Sequence, residues 1–163
     1  MKNIVLIGMP SSGKTTIGKM LAKESSMLFF DADEVLEKLF DKSIPDIFAE
    51  EGEEGFRRKE TTVIKDLSRK DDSVLSCGGG VVLKEENMKN LKKNGVVFFI
   101  KRNVEKLSCE GRPLSKDLET LKKMEKVRLP LYEKYADYTI ENDESIEKAV
   151  KEIWEKYNEN LTY

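Results

Sequence analysis

The 163-residue sequence contains no histidine, and that absence removes more chemistry than any other feature of its composition. Without imidazole, neither a mixed Cys/His zinc site nor a His-based catalytic triad can be assembled. Cysteine is scarce as well. Cys77 and Cys109 stand well apart, so no disulfide is expected and both read as reduced thiols of a cytosolic protein. An excess of basic charge is also missing: 29 Lys and Arg against 31 Asp and Glu give a net charge of −2, so the overall balance suits a small anionic ligand better than nucleic acid. No apolar run approaches the roughly 20 residues needed to cross a bilayer, and the N-terminus lacks the apolar core and cleavage site of a signal peptide. The expectation is a cytoplasmic protein with no membrane or nucleic-acid partner. Repeats, low-complexity tracts and composition shifts are absent too, which points to a single domain over residues 1–163.

What is present is 39% apolar and 37% charged, enough for one core beneath a well-solvated surface. Short runs rich in Val, Ile and Phe, at Asn3 to Ile7, Met27 to Phe30, Val74 to Ser76, Val96 to Ile100 and Tyr138 to Ile140, read as strands. Amphipathic stretches alternate with them: Thr15 to Glu24, Asp33 to Phe40, Ile44 to Arg69, Lys84 to Lys93, Leu118 to Tyr135 and Glu144 to Tyr157 read as helices. Strands buried on both faces and alternating with helices predict a layered α/β domain around a parallel sheet, with ligands at the carboxyl ends of the strands.

The first strand runs into Gly8-Met9-Pro10-Ser11-Ser12-Gly13-Lys14-Thr15, a match to G-x-x-x-x-G-K-[ST] between a buried strand and a helix. Glycines let backbone N–H groups converge on one oxygen cluster, and the helix behind adds the positive end of its dipole. Ser11, Ser12, Gly13, Lys14, Thr15 and Thr16 are therefore the candidate nucleotide-binding residues. Lys14 suits the β and γ phosphates of ATP, and the Thr15 hydroxyl suits the accompanying Mg²⁺. The second strand ends in Asp31-Ala32-Asp33, with both carboxylates on one side of an extended chain. One can hold the water shell of the metal while the other accepts a substrate hydroxyl. Alternatively, Asp33 serves as the N-cap of the helix from Glu34 to Phe40.

Two arginines fall where apolar side chains are expected. Arg57 leads at i+3 to Glu60 and at i+7 to Ile64, whereas Arg58 aligns with Thr61, Thr62 and Lys65 on a solvated face. Arg128 lies in the stripe Leu121, Met124, Leu131, Tyr132 and Tyr135. Each alone fits a buried salt bridge, while the two together suit a bidentate grip on a carboxylate. The run Gly78-Gly79-Gly80 lets backbone approach a ligand, at an entropic cost that a plain turn would avoid. Arg112-Pro113, in a polar stretch with little core of its own, reads either as a solvated loop or as a lid that brings Arg112 to the transferring phosphoryl group.

Taken together, the phosphate loop, "DADE", "IPDIFAEEGEEGFRRKE", "GGG", "GRPL" and "RLPLYEKYAD" resemble the shikimate kinase family, within the nucleoside-monophosphate-kinase branch of P-loop proteins, over nearly the whole length. The resemblance implies a three-layer P-loop kinase fold with a five-stranded parallel sheet in the order 2-3-1-4-5, a substrate-binding segment at about residues 33–60 and a lid at about 107–118. It also implies Mg²⁺-dependent transfer of the ATP γ-phosphate to the 3-hydroxyl of shikimate by a monomer. Lys14, Asp33 and Arg112 would act in catalysis, and Thr15 and Asp31 would hold the metal. Asp33, Arg57, Gly78, Gly79, Gly80 and Arg128 would bind shikimate, with Arg112 also contacting nucleotide. The lid stretch is short and lacks the second arginine that many members carry a few residues before the lid arginine; separately, near "ENDESIEK", Ser145 and Glu147 stand where many members place an adenine-packing Arg or Pro. The competing readings are a related small-molecule kinase, such as a gluconate kinase, and a non-catalytic nucleotide switch.

Overall fold

The computed structural model describes residues 1–107 and 117–162. Arg112, Cys109 and most of the expected lid lie outside the described residues. Five strands, β1 (Asn3–Ile7), β2 (Leu28–Asp31), β3 (Ser73–Ser76), β4 (Gly95–Lys101) and β5 (Tyr138–Glu141), form one sheet in the order β2-β3-β1-β4-β5. Every pairing is parallel. The topology is that of the predicted α/β fold, and the helices are α1 (Lys14–Ser25), α2 (Ala32–Phe40), α3 (Ile44–Leu67), α4 (Glu85–Lys93), α5 (Leu118–Tyr135) and α6 (Ile146–Leu161).

Alternation along the strands divides the core in two. Val5, Ile7, Leu75, Val97 and Phe99 face α2, α3, α4 and α5, burying Leu36, Ile64, Met88 and Leu121. Ile4, Leu6, Val74, Val96 and Phe98 face α1 and α6, burying Ile17, Leu21, Val150 and Ile153. Each such side chain contributes about 1.5–3 kcal/mol when fully buried, which is why the strands are continuous apolar runs.

Helix caps account for where the observed boundaries differ from the expected ones. The second strand runs one residue further, to Asp31. That residue, and not Asp33, is the N-cap of α2, its carboxylate accepting from the N–H groups of Asp33 and Glu34. Ser145 caps α6, so the helix starts at Ile146 and runs on to Leu161. The long helix expected from Ile44 is broken at Gly52, whose φ of 69° and ψ of −174° suit glycine alone. Its second half therefore leaves at a new angle, carrying Arg57 toward the sheet edge.

Candidate active site

The carboxyl end of every strand delivers a group to one region of the sheet edge. β1 runs into the phosphate loop, where Gly8 (φ 149°), Ser11 (φ 63°) and Gly13 (φ 102°) take conformations that curl the chain back on itself. Gly8 is also required by proximity, because a Cβ there would stand 2.5 Å from the Ile100 carbonyl oxygen. The Lys14 ammonium donates to the carbonyls of Gly8 at 2.7 Å and Met9 at 2.8 Å, which folds its charge over the loop. Behind it α1 begins on Gly13 with no side-chain cap and no acidic residue in its first turn. Its leading N–H groups and dipole are thus arranged for an anion.

A cavity of about 320 Å³ opens over this loop, with Ser11, Gly13, Lys14, Thr15, Thr16, Asp31, Asp33, Gly78, Gly79 and Arg102 on its wall. Ser12, one of the expected phosphate-loop contacts, is fully buried and also holds the loop together. Its N–H donates to the Met9 carbonyl at 3.2 Å and its own carbonyl accepts from Asn142 Nδ2 at 2.7 Å. Asn142 follows β5 and had no motif to announce it.

Asp31 is shared between two duties. One carboxylate oxygen caps α2, and the other accepts the Thr15 hydroxyl at 3.0 Å, pinning the strand tip to the phosphate loop. Asp33 sits two positions further on, in the first turn of α2. Burial, then the neighbouring charges of Asp31 and Glu60, raise its pKa to about 6 despite the opposing pull of Lys14 and Arg57. That is the range in which a carboxylate both accepts and releases protons near neutrality.

Arg57 is not on the wall of this cavity but on that of a neighbouring one, with Glu53, Glu54, Arg58, Leu83 and Lys84. Arg57 is buried, and its guanidinium meets Glu60 at 2.9 Å and Glu53 at 3.6 Å, while Arg58 is exposed as its register predicted. Burial raises the Glu60 pKa against the pull of Arg57 and Arg128. Arg57 Nε and Glu60 Oε2 remain buried without a hydrogen-bond partner, an unfinished polar pair of the kind that a bound ligand completes.

The three glycines explain themselves here. A Cβ at Gly78 would press on Asp33 and Glu60 at 3.0 and 3.1 Å, and one at Gly79 would press on Pro10 at 2.9 Å and Arg128 at 3.1 Å. At Gly80 it would fall on the Arg57 guanidinium, so Gly80 backs Arg57 and does not line the cavity. Arg128, 5% exposed, lies against Tyr132. The Tyr132 hydroxyl donates to the Gly79 carbonyl at 2.6 Å, its ring packs on Phe99 at 5.0 Å, and burial pushes its pKa up to about 12. Tyr132 passed in the sequence as one more stripe residue, yet it ties α5 to the glycine run. Cys77, buried between these groups, has its thiol pushed well above the usual range by desolvation and is not a nucleophile.

A phosphate loop on a parallel 2-3-1-4-5 sheet, sharing its cavity with a raised-pKa carboxylate and with two buried arginines behind the glycine run, defines the class: a P-loop small-molecule kinase. The chain belongs to the shikimate kinase family, whose sequence profile matches residues 10–158, and it is an ATP-dependent phosphotransferase of the shikimate pathway. A shikimate kinase of Thermodesulfovibrio yellowstonii is 44% identical, over 93% of this chain and 95% of its own. The solved shikimate kinase of Acinetobacter baumannii in complex with shikimate superposes with a TM-score of 0.90 at 34% identity, covering 99% of this chain and 94% of that one. A gluconokinase of Sinorhizobium meliloti reaches 0.64 at 15% identity over 99% and 95%, a likeness of fold alone.

Proposed function

We propose that this chain transfers the γ-phosphoryl group of ATP to the 3-hydroxyl of shikimate, giving shikimate 3-phosphate and ADP, with each half of the edge pocket serving one substrate. The observation that carries this reading is the position of Asp33. It stands on the wall of the phosphate-loop cavity and feels Arg57 and Glu60 as well as Lys14 and Asp31. A hydroxyl bound there is presented to the phosphate donor and to a carboxylate able to take its proton.

In this reading Lys14, the α1 N-terminus and the loop positions from Ser11 to Thr16 bind the nucleotide phosphates. Asp33 orients the hydroxyl and accepts its proton, Arg57 and Arg128 hold the shikimate carboxylate, and Gly78 and Gly79 offer backbone to the ring. Arg112 acts on the γ-phosphoryl group from the lid segment at about 107–118. The chain is read as one domain, 1–163, monomeric and cytoplasmic; among the described residues, no helix is long and apolar enough to cross a membrane.

Mg²⁺ suits the donor set. Thr15 and Asp31 present hard oxygen atoms, paired at 3.0 Å, on the cavity wall. Among the described residues no group of three or more His, Cys, Asp or Glu side chains forms a cage that would hold a cation without the nucleotide. When bound there, Mg²⁺ supplies neutralisation of phosphate charge.

The reading is tested by measuring ADP release from MgATP with shikimate, gluconate or a nucleoside monophosphate present, and by locating the phosphate on the product by NMR. Shikimate alone should stimulate turnover, with the phosphate on its 3-oxygen. Stimulation by gluconate or the monophosphate and none by shikimate would overturn it.

A further inference from the structure

Resting on the assignment of the phosphate loop to ATP, we infer that Arg102 is a further nucleotide-binding residue, a fixed cation that grips the polyphosphate from the tip of β4. Lys14 and Arg102 are the cationic side chains on the cavity wall among the described residues, and they share it with Asp31 and Asp33. Arg102 is half-buried, its Nε is enclosed without a hydrogen-bond partner, and no carboxylate among the described residues pairs with its guanidinium. A guanidinium N–H closed off from water without a partner is costly, and it is explained when an anion enters the cavity beside it.

The backbone around it is rigidly held. The Lys101 carbonyl on one side accepts from the Asn142 N–H at 2.7 Å, and the Asn103 N–H on the other donates to Asp143 Oδ1 at 3.0 Å. Asn142 in turn holds the phosphate loop through the Ser12 carbonyl, so Arg102 and the loop share one support. The backbone that carries Arg102 is therefore held from both sides by residues that follow β5. Its chemical target is a di- or triphosphate chain, gripped before the acceptor binds.

The test is equilibrium binding of ADP and of inorganic tripolyphosphate, both without metal, to the wild-type chain, Arg102→Gln and Arg102→Lys, with shikimate affinity measured alongside. Loss of one charge-assisted contact should raise the Kd of both phosphate ligands about tenfold in Arg102→Gln. Arg102→Lys should fall between, and shikimate affinity should stay within about twofold. In turnover the change should fall on the KM for ATP more than on kcat. Phosphate affinities within about twofold of wild type in the Gln variant would overturn the inference, as would an equal loss of shikimate affinity, which marks a structural role. Failure of the wild-type chain itself to bind ADP would instead overturn the phosphate-loop assignment beneath it.

Discussion

Asp33 joins the two halves of the pocket, and two consequences of its environment can be measured separately. A proton acceptor must be unprotonated, so shikimate phosphorylation should climb with pH through about 6, and Asp33→Asn should remove that limb of the rate profile. The turnover lost with it should be about 10²- to 10⁴-fold. Stability should move the other way. The carboxyl pKa is 3.8 in the reference state and about 6 in the fold, so the folded chain binds the proton more tightly. Stability from this group is present at low pH and lost as pH rises through that window. At pH 8 Asp33→Asn should therefore be more stable than wild type by about 1–3 kcal/mol, visible in calorimetry as a Tm higher by a few degrees. An unchanged Tm would show that the carboxylate is not held at a cost.

At the scale of elements, the breaks matter more than the helices. Gly52 turns the helix midway, and Gly52→Ala would have to adopt a φ of 69° with a ψ of −174°. It should lose about 1–3 kcal/mol in chemical denaturation and weaken shikimate binding, because the turn aims Arg57. Gly80→Ala would force a methyl group onto the Arg57 guanidinium. It should weaken shikimate binding several-fold while leaving ADP affinity near wild type, a contrast that isothermal titration of each ligand checks. The helices, the parallel order and the loop-to-helix junction were legible in the sequence because periodicity and the Gly-Lys-Thr pattern are local. The break at Gly52 was not, since the flanking stripes read on as one helix. The capping role of Asp31 was likewise hidden, because two aspartates two residues apart give the same signal until the strand end is fixed.

For the whole molecule, a two-sided core fixes a sheet whose carboxyl edge gathers residues more than a hundred positions apart. Arg57 and Arg128 were legible as charges in apolar register, and Gly78 to Gly80 as a run too costly for a turn. Asn142, Tyr132 and Arg102 were not, because a lone Asn, a stripe tyrosine and an arginine after a strand acquire meaning only when β4, β5 and α5 are set beside the loop. The central claim is that nucleotide and acceptor are held by separable sets of side chains meeting at Asp33. Measuring ADP and shikimate dissociation constants independently in wild type, Lys14→Met and Arg57→Ala tests it most directly. The account predicts that Arg57→Ala loses shikimate affinity about 10- to 100-fold and keeps ADP affinity within about twofold, while Lys14→Met keeps shikimate affinity and loses turnover. Shikimate bound by Arg57→Ala as tightly as by wild type would contradict it.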